Sequence, residues 1–210
     1  MDYRKEPLMK YIEDAAAARP TPGGGSVAAV AAALASTMAS MAAGFTAGKE
    51  KYRDVQDDIA DAIAQLADLR ERLLGLAHRD MDAFAGFMAA CRLPKETVAE
   101  KTVRAAAVTR ATRASLDVVE GVLDGARKIL EVDRRLADIA NRNLLSDVGV
   151  AAELALGAVR ASRINAEVNL AGYGDGDHAA AVRKRVDEAV TEAERLARET
   201  RQAVLKAMAK

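Results

Sequence analysis

The sequence contains no tryptophan, and aromatic residues make up only 3% of its 210 residues. It has one cysteine, Cys91, and two histidines far apart, so it can form neither an internal disulfide nor a cluster of histidine and cysteine metal ligands. Neither sign of charge is in excess, because 31 Lys and Arg residues balance 31 Asp and Glu residues. A nucleic-acid surface needs positive charge and stacking aromatics, so we expect no nucleic-acid partner. The lack of disulfides favours the cytoplasm.

Helix-breaking and strand-forming patterns are also scarce. No proline follows Pro94, so nothing in the second half of the chain forbids long helices. Apolar residues recur every three or four positions from Val55 to Leu76 and from Val182 to Val204, as they do on one face of a helix. The alternation that marks β-strands is missing. We predict an all-α protein, with residues 1–210 forming one domain built as a bundle of about six long helices.

Charge is missing from Pro20 to Gly48, a stretch longer than the ~20 residues that cross a membrane. Its residues are mostly Gly, Ala and Ser, however, and acidic residues precede it, unlike the basic start of a signal peptide. We interpret it as a buried helix whose small side chains permit close packing, and we expect no membrane partner. The helix from Val27 to Phe45 has more apolar surface than one bundle hides, which predicts a homodimer.

Within this stretch, "PTPGGGSVAA" places Gly23, Gly24 and Gly25 directly before Ser26. Each glycine costs a helix about 1 kcal/mol relative to alanine. If a helix begins near Ser26, bare backbone N–H groups could approach an anion at its positive end. No strand precedes the glycines and no GK[ST] ending follows them, so they are not a nucleotide P-loop. A turn capped by Ser26, with close helix packing, is the structural alternative.

Asp80 lies inside an apolar stripe in "LLGLAHRDMDAFAGFMAAC", whereas Asp82 is rotated away from that stripe by about 200°. A carboxylate in such a position is unfavourable unless it is paired or has a function. Burial there would raise its pKa, which suits general acid–base chemistry. The alternative is a structural ion pair between Asp80 and an arginine at a helix interface.

A third group of polar residues follows in "NRNLLSDVGVAAELALGAVRASRINAEVNL". Ser146 or Asp147 can cap the helix that follows. Asn165 and Asn169 lie one turn apart and could present their amides to a polar ligand, or form an interhelical hydrogen-bond pair. Lys49 lies in a break between helices, where an isolated lysine is usually just solvated.

Taken in order, "PTPGGGSVAA", "FTAGKEKY", "DMDAF", "LPK", "NRNLLSDVGVAA" and "NAEVNL" resemble the formiminotransferase-cyclodeaminase C-terminal family, from about Met9 to Leu170. The resemblance implies an all-helical homodimer that binds a tetrahydrofolate derivative, with no metal and no cofactor beyond that substrate. Four positions depart from the family pattern: His78, Ala140, Ser115 and Ala166. Carried over by position, the implied catalytic residues are Asp80 and Lys49, and the implied substrate-binding residues are Gly23, Gly24, Gly25, Ser26, Asn141, Ser146, Asp147, Asn165 and Asn169.

Members of this family catalyse one of two related reactions. A methenyltetrahydrofolate cyclohydrolase opens the ring of 5,10-methenyltetrahydrofolate to give 10-formyltetrahydrofolate, and a formiminotetrahydrofolate cyclodeaminase closes the formimino compound and releases ammonia. Members with two activities carry a formimino-transferring domain ahead of this one, and only 19 residues precede Pro20 here. We therefore expect the hydrolase. Cyclodeamination, or a non-catalytic folate-binding partner protein, are the alternatives.

Overall fold

The computed structural model describes residues 2–171, Tyr173 and 176–209. Within these residues the chain forms six α-helices and no strands. The all-α prediction is therefore confirmed, although the first helix is short, with nine residues. The sequence also predicts a break between helices at Gly172–Asp177, a range that lies partly outside the described residues. The helices are α1 (Leu8–Ala16), α2 (Gly24–Gly44), α3 (Gln56–Cys91), α4 (Val98–Ile139), α5 (Leu145–Leu170) and α6 (Gly176–Met208), with 3₁₀ segments at Tyr3–Lys5, Glu50–Val55 and Arg142–Leu144.

The central helix is α4, which packs against α2, α3, α5 and α6. Its neighbour α2 lies between α3 and α5 and buries mainly alanine, so these helices can approach closely. Larger side chains from α3, α4 and α5 fill the remaining core. The largest fully buried ones include Ile59, Leu66, Leu73, Leu116, Ile129, Leu130, Leu136, Leu145 and Val148.

Local sequence signals mark the ends of several helices. Gly48 turns the chain after α2 with a φ of 70°, a conformation that glycine adopts without strain. Thr97 and Glu100 form a reciprocal capping box at the start of α4. The Ser26 cap, one of the two alternatives for the glycine stretch, is not present, and the cap predicted for α5 is wrong. Gly23 rather than Ser26 is the N-cap of α2, because the helix already begins at Gly24.

The start of α5 also differs from the prediction, since neither Ser146 nor Asp147 caps it. Leu144 occupies the N-cap position and makes no side-chain cap. The short 3₁₀ segment before it is capped instead by Asn141, whose side chain accepts a hydrogen bond from the Asn143 N–H. This 3₁₀ turn, capped by Asn141, leads into α5 in place of the cap that the sequence predicts from Ser146 or Asp147.

Both neighbours of α2 run antiparallel to it. Ser26 at its start meets Asp80 late in α3, whereas Gly48 after its end meets Gln56 at the beginning of α3. On the other side, Gly24 lies beside Asn165, near the end of α5. The Gly23 end and the Phe45 end of α2 are about 30 Å apart, because an α-helix rises 1.5 Å per residue.

Beyond Asp80, α3 and the start of α4 form a two-helix arm, residues 81–112, whose residues are mostly exposed or half-buried. The apolar stripe around Asp80 is therefore buried on one side only. Leu73 and Leu76 are buried in the bundle, but Phe84 and Phe87 on the arm are only half-buried. Asp80 thus lies at the base of the arm, at the border between core and surface.

The outer surface of α2 and α5 is apolar, and we call it the α2–α5 face. On α2, Val27, Leu34, Met41 and Phe45 are between 43% and 52% exposed. By length and hydropathy alone α2 could cross a membrane, and half of its most apolar stretch is buried in the bundle. The face consists of Val27, Ala31, Leu34, Met38, Met41 and Phe45 on α2 and Val150, Leu154, Gly157, Ala161, Ile164 and Val168 on α5.

Candidate functional site

The glycines at the start of α2 allow side chains to approach its backbone closely. The N–H of Ser26 donates a hydrogen bond of 2.9 Å to Oδ2 of Asp80. A β-carbon on Gly25 would lie 2.1 Å from Oδ1 of the same carboxylate, a distance that no real side chain tolerates. A β-carbon on Gly24 would lie 3.1 Å from Oδ1 of Asn165. The glycines therefore make room for Asp80 and Asn165 at the positive end of the helix.

The Asp80 carboxyl is half-buried, and among the described residues it forms no ion pair. Burial raises its pKa above the ordinary value, and the hydrogen bond from the Ser26 N–H partly offsets that effect. The predicted alternative, a structural Asp–Arg pair, is therefore wrong. Asp82 lies two residues after Asp80 and points in a different direction from the helix. Its side chain is 72% exposed, as this position on the helix predicts. A half-buried carboxyl with a raised pKa is suited to accept and donate a proton during a reaction.

Tyr11 on α1 also belongs to this site, and no sequence motif identified it. Its hydroxyl lies 3.0 Å from Oγ of Ser26, and Ser26 is fully buried. Burial raises the pKa of the Tyr11 phenol, and the negative charge of Asp80 adds to the effect. A cavity of about 270 Å³ opens beside Ser26 and is lined in part by Tyr11, Leu74 and His78. This cavity gives a small ligand access to the edge of the site.

Asn165 and Asn169 occupy the last two turns of α5 and are both half-buried. Asn165 lies against Gly24, and Asn169 follows one turn later on the same side of the helix. The Gly23 end of α2 thus brings together seven of the predicted site residues: Gly23, Gly24, Gly25, Ser26, Asp80, Asn165 and Asn169.

The remaining predicted residues lie at the Phe45 end. Lys49 is exposed, with its ammonium 5.9 Å from the centre of the Phe45 ring. Ser146 is exposed and Asp147 half-buried, both in the first turn of α5. Within one chain these residues and Asn141 are therefore separated from Asp80 by the length of α2. The residues implied by the resemblance therefore form two groups in one chain, one at each end of α2.

Asn141 is buried, and its hydrogen-bonding groups contact protein atoms. Its backbone N–H donates to Oγ1 of Thr46 at 2.8 Å, and its amide Nδ2 donates to the Phe45 carbonyl at 3.4 Å. Its Oδ1 accepts from the Tyr52 hydroxyl at 3.4 Å. These contacts attach the segment after α2, which carries Lys49, to the end of α4. The geometry indicates a positioning residue rather than a direct substrate ligand.

No three His, Cys, Asp or Glu side chains come together as a metal site in the part of the chain that the structure describes. The groups present at the Gly23 end are a carboxyl, the hydrogen-bonded hydroxyls of Tyr11 and Ser26, two amides and the backbone N–H groups of a helix start.

Comparison with known proteins identifies the family of the chain. The formiminotransferase-cyclodeaminase family model matches residues 7–188. The chain belongs to this family. A methenyltetrahydrofolate cyclohydrolase of Methylorubrum extorquens is 32% identical over 170 residues, which cover 81% of this chain and 82% of the relative.

Two further relatives carry the cyclodeaminase name. The formimidoyltransferase-cyclodeaminase of Sus scrofa is 28% identical over 90% of this chain, which spans only 35% of that longer protein. The crystal structure of a formiminotetrahydrofolate cyclodeaminase from Thermotoga maritima has a TM-score of 0.82 at 28% identity. That match covers 98% of this chain and 97% of the Thermotoga chain.

The four departures from the family pattern have different structural settings. His78 lines the cavity beside Ser26, and its Nε2 is 3.7 Å from the Asp82 carboxylate. Ala140 is buried at the end of α4, and Ala166 is buried in α5. The helix α4 continues through Ser115, whose hydroxyl donates to the Ala111 carbonyl. Of the four, only His78 borders the site, so His78 is the departure that can alter the chemistry.

Proposed function

We propose that this protein is a methenyltetrahydrofolate cyclohydrolase, which hydrolyses 5,10-methenyltetrahydrofolate to 10-formyltetrahydrofolate with Asp80 as its acid–base residue. The observation that carries the proposal is the Asp80 carboxyl, half-buried and held by the Ser26 N–H at the open base of the arm. Identity of 32% to a relative named as this enzyme supports it. The substrate is an amidinium cation, and a carboxylate without a cation of its own suits such a charge.

Hydrolysis divides into two steps that Asp80 can serve. First, water forms a bond to the carbon between N5 and N10 while the C=N electron pair returns to nitrogen, and the Asp80 carboxylate accepts the proton that water loses. Next, the bond from that carbon to N5 breaks, and N5 keeps the electron pair and takes the proton from Asp80. The remaining hydroxyl releases its proton to solvent and becomes the formyl carbonyl. One proton is released overall.

The other residues at the Gly23 end bind and orient the substrate in this proposal. The amides of Asn165 and Asn169 offer both donors and acceptors to the edge of a pterin ring. Backbone N–H groups at the start of α2 suit carbonyl or carboxylate oxygens. Tyr11 holds the Ser26 hydroxyl, and with it the turn whose N–H contacts Asp80.

Cyclodeamination remains a second candidate because of the Thermotoga protein, which carries that name and matches this chain over nearly its whole length. Chain length therefore does not separate the two activities. In that reaction N10 attacks the formimino carbon, and Asp80 would pass the proton from N10 to the departing ammonia. The same carboxyl serves both reactions, since both pass through an adduct at the bridging carbon.

Rates on the two substrates decide between these functions. We expect purified protein to remove the methenyl absorbance faster than buffer alone, and to form it from 5-formiminotetrahydrofolate more slowly. A faster reaction with the formimino compound would assign the protein as a cyclodeaminase. If the protein accelerates neither reaction, the remaining candidate is a non-catalytic folate-binding protein.

We also propose that the protein is a cytoplasmic homodimer that buries the α2–α5 face. On α2 the exposed positions carry no charge at all, which is unusual for a helix in contact with water. On α5 the charged residues face α6, where Arg160 pairs with Glu194 and Arg163 with Asp187. Two helices of this length present a face of about 600 Å² per chain in projection, which is the lower end of the range for a stable interface. Light scattering should give twice the 22.2 kDa chain mass; a monomer mass would exclude the dimer.

A further inference from the structure

Three successive positions at the start of α2 face three different parts of the molecule. A β-carbon on Gly24 would lie 3.1 Å from Oδ1 of Asn165. A β-carbon on Gly25 would lie 2.1 Å from Oδ1 of Asp80. The next residue, Ser26, borders the cavity of about 270 Å³. Each step along an α-helix turns the side chain by about 100°, so Asp80 lies between the Asn165 side of α2 and the cavity.

A 5,10-methenyl folate has its parts in the same order. Its pterin ring carries N5, the reacting carbon bridges N5 and N10, and N10 is bonded to a p-aminobenzoyl ring. We propose that the cavity beside Ser26 holds this p-aminobenzoyl ring, with the reacting carbon at Asp80 and the pterin at the two asparagines of α5. The identity of the ligand rests on the proposed function, whereas the cavity and its lining do not depend on it.

The cavity has the size and the lining that a benzoyl ring needs. An apolar cavity of about 150 Å³ holds a benzene molecule, so a volume of about 270 Å³ leaves room for a benzene ring with its amine and carbonyl substituents. The lining includes Val30, Leu74, Ala77 and Met81 from α2 and α3 and the rings of Tyr11 and His78. Aromatic rings and a thioether add favourable contacts to the burial of a flat apolar ring.

The polar groups at the two ends of this arrangement distinguish the two rings of the ligand. The side-chain amides of Asn165 and Asn169 form no hydrogen bond with other described residues, so both can pair with the amide-like edge of a pterin. In the cavity, the Tyr11 hydroxyl is already paired with the Ser26 hydroxyl. A pterin placed there would bury several donors and acceptors among apolar side chains, which costs more than burying a benzoyl ring.

The first residues of the chain, from Asp2 to Leu8, complete the wall of the cavity. Arg4 pairs with Glu71 on α3 at 3.3 Å, which attaches this segment to the bundle. The Tyr3 hydroxyl donates a hydrogen bond of 2.8 Å to Oδ2 of Asp14 on α1. The wall is therefore formed before a ligand binds, which lowers the cost of ordering on binding.

Binding of the two halves of the ligand to the wild-type protein tests this placement without catalysis. The compounds p-aminobenzoylglutamate and 6-methylpterin are titrated separately into protein with labelled methyl groups, which are followed by NMR. We expect p-aminobenzoylglutamate to shift the resonances of Leu74 and Met81, and 6-methylpterin to leave them unchanged. Leu205, at a 61% exposed position on α6, is the control and should shift with neither compound. Shifts of Leu74 and Met81 caused by 6-methylpterin would overturn the placement, and so would the absence of shifts with p-aminobenzoylglutamate.

Filling the cavity tests the same placement in the reaction. In Val30→Phe an added ring competes with the p-aminobenzoyl ring for one space. We expect the KM for 5,10-methenyltetrahydrofolate to rise by about 10-fold or more, since burial of an aromatic ring contributes that much affinity. The kcat should change little, because the ring is bound equally in the ground state and the transition state. Val103→Phe, at a 62% exposed position on the arm, is the matched control. A Val30→Phe enzyme that is folded by circular dichroism and keeps the wild-type KM would overturn the proposal.

The NMR titration needs no variant, so it decides the placement even if Val30→Phe does not fold. A wild-type protein that binds p-aminobenzoylglutamate at Leu74 and Met81 but accelerates neither folate reaction would contradict the proposed function and retain the cavity assignment. A wild-type protein that hydrolyses the methenyl compound, but whose Leu74 and Met81 resonances do not respond to p-aminobenzoylglutamate, would retain the function and overturn the cavity assignment.

Discussion

At the scale of single residues, the site depends on a side chain that is missing. The Asp80 carboxylate reaches the Ser26 N–H because Gly25, the residue before it, has only hydrogen where other residues have a β-carbon. The cost of glycine in a first helical turn is thus offset by a hydrogen bond to a charged group, which contributes about 1.5–3 kcal/mol. The same contact fixes the direction of the carboxylate.

Replacing Gly25 with alanine tests that contact. The new β-carbon would lie 2.1 Å from Oδ1 of Asp80 and must displace the carboxylate. We expect Gly25→Ala to lower the rate of methenyl hydrolysis by about 10²-fold or more, as for a misplaced catalytic group. Gly75→Ala on α3 is the matched control, since nothing lies within 4 Å of its β-carbon. Equal activity of the two variants would contradict the role of Gly25.

A second buried carboxyl, Asp133 on α4, has no assigned function. It is fully buried, and neither of its oxygens forms a hydrogen bond with the described residues. Burial raises its pKa well above the ordinary value of 3.8, so the folded protein keeps a proton that the unfolded chain releases. The stability from that proton is complete below pH 3.8 and is lost as the pH rises towards the folded-state pKa.

The variant Asp133→Asn should therefore become more stable relative to the wild type as the pH rises. In the window above the unfolded pKa, we expect the difference in unfolding free energy to grow by up to about 1.4 kcal/mol per pH unit. Urea unfolding at about pH 5, 6 and 7, at one protein concentration, measures it. Asp138→Asn, on the exposed side of the same helix, is the control. A difference that does not change with pH would contradict a protonated Asp133.

At the scale of helices, the packing of α3 and α5 against α2 determines where the site residues lie. Its alanines let α3 and α5 pack closely on either side, and both run antiparallel to it. That arrangement brings the end of α5 and the late part of α3 to the Gly23 end, although 85 residues separate Asp80 from Asn165 in the sequence. One small-residue helix thus assembles the site and provides an apolar outer face.

The helices and the Gly23 end could be predicted from the sequence because periodicity and local motifs determine them. The spacing of Val55 to Leu76 marks α3, and Asp80 stands out as a carboxylate in an apolar stripe. The starts of α2 and α5 were misplaced, since glycine is a weak cap signal and a 3₁₀ turn precedes α5. Tyr11 was missed because its contact with Ser26 depends on how α1 folds back, which periodicity does not encode.

A charge on the outer face of α2 tests whether that face is an interface. Leu34 is 52% exposed at the centre of the stripe, so in a monomer its replacement by Glu would cost little. In the proposed dimer it would bury two unpaired carboxylates. We expect Leu34→Glu to give monomers by light scattering. Val98→Glu, on the arm at an 82% exposed position, should stay dimeric. A dimeric, active Leu34→Glu variant would exclude this interface.

At the scale of the whole molecule, ion pairs and apolar side chains occupy different sides of the bundle. Surface ion pairs between α5 and α6 close one side of the bundle, whereas the α2–α5 face is left apolar. The two ends of α2 carry the polar residues that the family resemblance implies.

The central claim is that Asp80 transfers the proton in folate chemistry, and one kinetic comparison tests it most directly. The loss of methenyl absorbance is followed for the wild type, Asp80→Asn and the control Asp82→Asn, with circular dichroism to verify the fold. Removing the acid–base group should lower the turnover of Asp80→Asn by about 10²–10⁴-fold. Asp82→Asn should keep wild-type activity, since Asp82 is exposed and its carboxylate lies near His78 rather than at the Ser26 N–H. Wild-type turnover in a folded Asp80→Asn variant would contradict the mechanism proposed for this site.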